Sequence, residues 1–156
     1  MPRLALFVVV TVAGSALLNA VVKLAVDRAR PVVADPVAHA SGMSFPSGHA
    51  QSAVVATSVL RLVFLPLLRG ARRSVAVVLA VAFMLAIGFA RVALGVHFVS
   101  DVLAGYALGA AWVAAMIAAF NAGGGSAAGR HARRGGIRAA PPGPLRPPFC
   151  RSVRRR

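Results

Sequence analysis

Two histidines and an aspartate in this chain stand beside cations at spacings that could do phosphate chemistry. Phe45-Pro46-Ser47-Gly48-His49 is the first stretch. Ser47 suits a helix N-cap, because its side-chain oxygen can accept from a first-turn N–H. Gly48 lets a ligand approach the backbone. A helix N-terminus attracts anions such as phosphate, and His49 would sit in its first turn. The second stretch runs from Ala90-Arg91 to His97 and Asp101. His97 and Asp101, four apart, share one face if helical. A carboxylate there fixes an imidazole's tautomer and leaves its other nitrogen free to attack. Arg91 can fork onto phosphate oxygens. Upstream, Lys23 and Arg30-Pro31 add two cations at the end of an apolar segment.

Lys23-x6-Arg30-Pro31, Pro46-Ser47-Gly48-His49 and Arg91-x5-His97-x3-Asp101 together resemble the three-part signature of the type-2 phosphatidic acid phosphatase superfamily. That superfamily also contains vanadium haloperoxidases and bacterial acid phosphatases. The motifs span residues 23–101, about half of the chain. The third motif departs from the family pattern, with Ala90 where serine is usual, which removes one hydroxyl donor to phosphate. The resemblance implies a metal-independent hydrolase of a lipid phosphate or diphosphate that needs no cofactor. His97 would attack phosphorus to form a phosphohistidine, Asp101 would orient it, and His49 would protonate the leaving oxygen. Lys23, Arg30, Arg91, Ser47 and Gly48 would hold the phosphoryl group. A lipid phosphotransferase, a haloperoxidase and a degenerate, non-catalytic member are the alternatives. Haloperoxidase relatives are soluble, which disfavours that one.

Composition supports a membrane setting. Of 156 residues, 58% are hydrophobic and 13% charged, with a mean hydropathy of +0.76. Such a chain is not a soluble globule. The net charge of +15 does not imply nucleic acid, because half of the cations lie after residue 129, beyond any apolar periodicity. The single cysteine, Cys150, excludes an intramolecular disulfide.

The expected fold is all-α: a polytopic bundle of about four transmembrane helices, with the site at one membrane face. Residues 4–22 carry no charge and are long enough for one crossing. A signal peptide is the rival reading, but the apolar run continues past the small residues at 14–16. Residues 23–46 form a proline-rich polar connection. Further helices are expected at 47–68, 74–90 and from about Ser100, a candidate cap, to 120. Small residues in the last two permit close packing in lipid. Residues 1–120 would be the membrane phosphatase domain. Residues 121–156 would be a disordered basic tail, rich in Pro, Gly and Arg, that binds anionic lipids.

Arg3, the basic turn at 69–73 and the tail place both termini in the cytoplasm and the motif loops outside, in the plasma membrane. Membrane-bound members of the family usually have six crossings, so four imply a minimal form or a missing N-terminal part. Asp27 and Arg28 lie off the motif pattern and are expected to form a solvated pair. Arg61 is expected to snorkel or pair in the bundle. His39 and His131 are expected in loops.

Overall fold

The computed structural model describes residues 2–32 and 40–134, with side chains as far as Ala122. Four helices cross it: α1 (Pro2–Val26), α2 (Gly48–Phe64), α3 (Ala71–Ala93) and α4 (Val99–Arg134). All four have stretches long and apolar enough to span a bilayer. Large apolar side chains such as Leu17, Leu24, Leu79 and Phe89 are more than 60% exposed, as suits a surface facing lipid. The chain divides into two compact units, Met1–Ala122 and Gly123–Arg156.

Local chemistry sets the helix ends. Asp27 adopts the left-handed conformation (φ 45°) and its N–H bonds the carbonyl of Lys23 at 3.0 Å, so α1 stops there. Ser47 caps α2 with its hydroxyl on the Ala50 N–H. Pro66 cannot donate to a helix ladder, and α2 tightens into a 3-10 turn, Leu65–Leu67. Gly70, at φ 58°, then turns the chain into α3.

Two helix starts differ from expectation. Arg72 and Arg73 lie inside the first turn of α3 and not in a free turn. Ser100 lies inside α4; Asp101 caps that helix instead, reaching back to the Phe98 N–H at 2.9 Å, as an acid three residues into a helix does. At its far end α4 runs past residue 120 to Arg134 and includes His131. No proline interrupts this stretch; its alanines and arginines favour helix, while Gly123, Gly124, Gly125 and Gly129 oppose it. His39 and residues 135–156, including Cys150 and most of the basic tail, lie outside the described residues.

The core of the first unit lies toward the end of the bundle away from the motifs. Phe7 of α1, Val55 and Val59 of α2, and Val113 of α4 are buried together against Trp112 and Phe120. Nearer the site, α4 comes close to α2 because two positions lack side chains. A methyl group on Gly105 would lie 2.5 Å from the Ser47 carbonyl oxygen, and one on Gly109 would lie 3.0 Å from that of Gln51. The spacing of four puts both glycines on one face. The Ser47 N–H also bonds the Asp101 carbonyl at 2.9 Å, which docks the start of α2 on the start of α4.

These contacts predict that Gly105→Ala destabilises the protein by about 1–3 kcal/mol, because the obstacle is backbone that must move. Thermal unfolding in detergent measures this. An unchanged midpoint would contradict the packing described.

Candidate functional site

The motif residues meet at one end of the bundle. Lys23 is in the last turn of α1, His49 in the first turn of α2, Arg91 in the last turn of α3 and Asp101 in the first turn of α4. Arg30 and His97 lie on the connections between helices. In an up-and-down bundle these four helix ends share one side, so residues up to 78 positions apart in sequence converge.

A cavity of about 600 Å³ opens there, lined by Lys23, Arg30, Gly48, His49 and His97 among others. Arg30 is its best-anchored cation. Its guanidinium donates to the carbonyls of Gly42 (3.0 Å), Ser41 (3.2 Å) and Val96 (2.8 Å), and Nη1 stands 3.4 Å from His97 Nε2. Lys23 Nζ donates to the Met43 carbonyl at 2.9 Å, which leaves two of its three hydrogens for other acceptors. His49 is exposed to this space, and the charges of Arg91, Arg30 and Lys23 all bear on it. Arg91 does not line the cavity; its Nε is buried without a hydrogen-bond partner among the described residues. Ser47 is fully buried and serves as the helix cap, so its hydroxyl is not on the cavity wall.

Behind His97 lies Asp101, 0% exposed. Its Oδ2 is 3.4 Å from His97 Nδ1, close enough for charge interaction but outside hydrogen-bond geometry. Oδ2 accepts instead from the Phe98 N–H, and Oδ1 accepts from Arg28 Nη1 at 2.9 Å. Arg28 is therefore not half of a solvated pair with Asp27. A buried carboxylate requires a cation, and Arg28 is the one that reaches it. The same Nη1 donates to Ser100 Oγ at 2.7 Å, and the guanidinium stacks 4.3 Å from the centre of the Phe98 ring. The Arg28 carbonyl accepts from both the N–H (2.8 Å) and the hydroxyl (3.2 Å) of Ser44.

Burial holds the His97 imidazole below the ordinary histidine pKa, and the Arg30 charge pushes it further down, while the Asp101 carboxylate opposes both. The neutral ring, the form that can act as a nucleophile, thus persists to lower pH. The acid limb of the pH–rate profile should have its midpoint below 6.5, the ordinary histidine value. Arg30→Gln removes one downward push and should move that midpoint up. A phosphomonoester's own ionisation is common to both proteins, so the difference between them reports the enzyme. An unmoved midpoint would contradict this electrostatic account.

Deeper in the cavity, α1 carries polar side chains at 15, 19 and 23, one turn apart. Gln51 Nε2 donates to the Ser15 carbonyl (2.9 Å) and hydroxyl (2.8 Å). A carbonyl can only accept, so the Gln51 amide has one orientation, and its Oε1 must take a hydrogen from Asn19 Nδ2 at 2.7 Å. Asn19 Oδ1 is left beside Gly48, where an added methyl would lie 3.2 Å away. Arg61 is exposed and has no ion-pair partner among the described residues. Among those residues, no group of three or more His, Cys, Asp or Glu converges as a metal site.

A phosphatidylglycerophosphatase B from Bacillus subtilis (strain 168) is 43% identical over 96 residues, covering 60% of this chain and 46% of that protein. A crystal structure described as the first transmembrane PAP2 type phosphatidylglycerolphosphate phosphatase from Bacillus subtilis superposes with a TM-score of 0.65 at 33% identity. That match covers 72% of this chain and 57% of the other. The chain therefore spans about half the length of these relatives. The sequence model of the PAP2 superfamily matches residues 4–124, which take in most of the four helices and every motif residue, and the chain belongs to that superfamily.

Proposed function

We propose that this chain is a metal-independent lipid phosphate phosphatase that works through a phosphohistidine on His97. The observation that carries the reading is the placement of His97. Its Nε2 faces Arg30 at a cavity lined by cations, a buried carboxylate stands behind Nδ1, and the whole lies at one end of a membrane-spanning bundle.

Two displacements at phosphorus complete the reaction. The lone pair of His97 Nε2 forms a bond to phosphorus while the bond to the leaving oxygen breaks, and His49 gives that oxygen its proton. Lys23 and Arg30, on the cavity wall, stabilise charge on the phosphoryl oxygens, the main catalytic contribution expected in phosphoryl transfer, while Arg91, off the wall, acts through its charge beside His49. Water then attacks phosphorus, His49 takes its proton, and the N–P bond breaks to release phosphate. Ser47 contributes through the helix start it caps, and Gly48 through space for the ligand.

A second cavity of about 460 Å³, largely apolar, lies between α2 and α3 and shares Ala56 and Phe83 with the first. A hydrocarbon chain lying there would leave its headgroup at His97. The positive-inside rule, applied to Arg69, Arg72, Arg73 and the arginine-rich C-terminus, favours cytoplasmic termini and a site on the outer face. The basic C-terminal segment would add attraction to anionic lipids.

The names of the two relatives make phosphatidylglycerol phosphate the first substrate to try. The test is phosphate release from that lipid, phosphatidic acid and a polyprenyl diphosphate by the purified protein with EDTA present. Release from at least one is expected. Release only after metal is restored would overturn the mechanism, and release from none would overturn the function.

A further inference from the structure

We propose that Arg28 is a positioning residue that acts on His97 through Asp101. The inference rests on the reading of His97 as the nucleophile. No motif residue of the site does this task. Asp101 is wholly buried, and its carboxylate has two anchors: the Phe98 N–H on Oδ2 and Arg28 on Oδ1. Without Arg28 the carboxylate keeps a single anchor and can rotate away from His97 Nδ1.

Arg28 is itself held on several sides. Nη1 bridges Asp101 and Ser100, the guanidinium lies on Phe98, and the backbone carbonyl is clasped by Ser44. It thereby ties the segment after α1 and the segment before α2 to the turn that carries His97. Arg30, two residues on, reaches the other end of the same imidazole. The order across the site is Arg28, Asp101, His97, Arg30, so that two arginines bracket a carboxylate and a neutral ring. Arg30 serves the ring nitrogen that faces the cavity, and Arg28 serves the carboxylate behind it. Arg28 does not line the cavity and so would touch no substrate.

A double-mutant cycle tests this, with Arg28→Met, Asp101→Asn and the pair combined. Arg28→Met should lower kcat by about 10- to 100-fold and leave KM within about twofold, because it removes orientation and not binding. Arg28→Lys, which keeps the charge but not the fork or the stacking, should recover only part of the loss. In the Asp101→Asn background, Arg28→Met should cost less than about a further twofold, since its route to His97 is already cut. Multiplying losses, or an effect on KM alone, would overturn the proposal. Thermal unfolding of the same four proteins reads the coupling without turnover, and additive shifts there would also overturn it. A wild type silent on every lipid, with the unfolding cycle still non-additive, would refute the phosphatase reading and the positioning role but keep the ion pair.

Discussion

His97→Ala should reduce phosphate release by on the order of 10⁴-fold or more, whichever lipid proves best. The size follows from its role. Among the described residues, no other imidazole at this cavity has a carboxylate behind it, and removing the attacking atom removes the whole two-step route. His97 is 5% exposed and its neighbours would lose packing, so His97→Gln, closer in volume, separates misfolding from lost chemistry. Both variants should bind lipid and detergent as the wild type does, and both should be inactive. Retention of more than about a tenth of the activity in a folded variant would remove His97 from the mechanism.

Asp101→Asn should cost about 10²- to 10⁴-fold in kcat, nearly as much, although the side chain barely changes in size. The carboxylate accepts at both oxygens, from Phe98 and from Arg28. An amide has one oxygen and one NH₂. If the oxygen stays with Arg28, the NH₂ faces the Phe98 N–H and His97 Nδ1. Nδ1 must then be the acceptor and the proton moves to Nε2, the nitrogen that has to attack. If the amide turns over, the NH₂ opposes Arg28 instead. That arginine side chain is 38% exposed and stays hydrated, so the fold should survive the change. Loss of the negative charge also removes the one influence that raises the His97 pKa, so the acid limb should move further down while the plateau falls. A folded Asp101→Asn protein with near wild-type kcat would show that the carboxylate does not orient His97.

Much of this was readable from the chain. Apolar runs the length of a bilayer predict the helices, and the alternating direction of successive crossings brings the three motif segments to one end before any contact is known. His49, His97, Lys23 and Arg30 do line one cavity. The roles of individual polar groups were less legible. Ser47 looks like a phosphate donor in a motif, but as the N-cap its oxygen faces the helix it starts. Arg28 sits outside the pattern, and its partner lies 73 positions away. The available signal was Asp101 itself, one of three acids in the chain, which once buried demands a cation. The polar stripe Ser15, Asn19, Lys23 was visible as a four-residue repeat on an otherwise apolar helix, but only the fold brings Gln51 against it. Helix ends were the least predictable. Ser100 lies inside α4 with its hydroxyl taken by Arg28, while the Asp101 carboxylate reaches back to the Phe98 N–H.

The covalent step on His97 is open to direct observation. The most direct measurement is a single turnover with a lipid carrying a radiolabelled terminal phosphate, quenched in alkali, where phosphohistidine survives, and followed by peptide mapping. Transient label is expected on the peptide that contains His97, at that residue, appearing before free phosphate. Label on any other side chain, or a full turnover of phosphate with the protein unlabelled throughout, would contradict it.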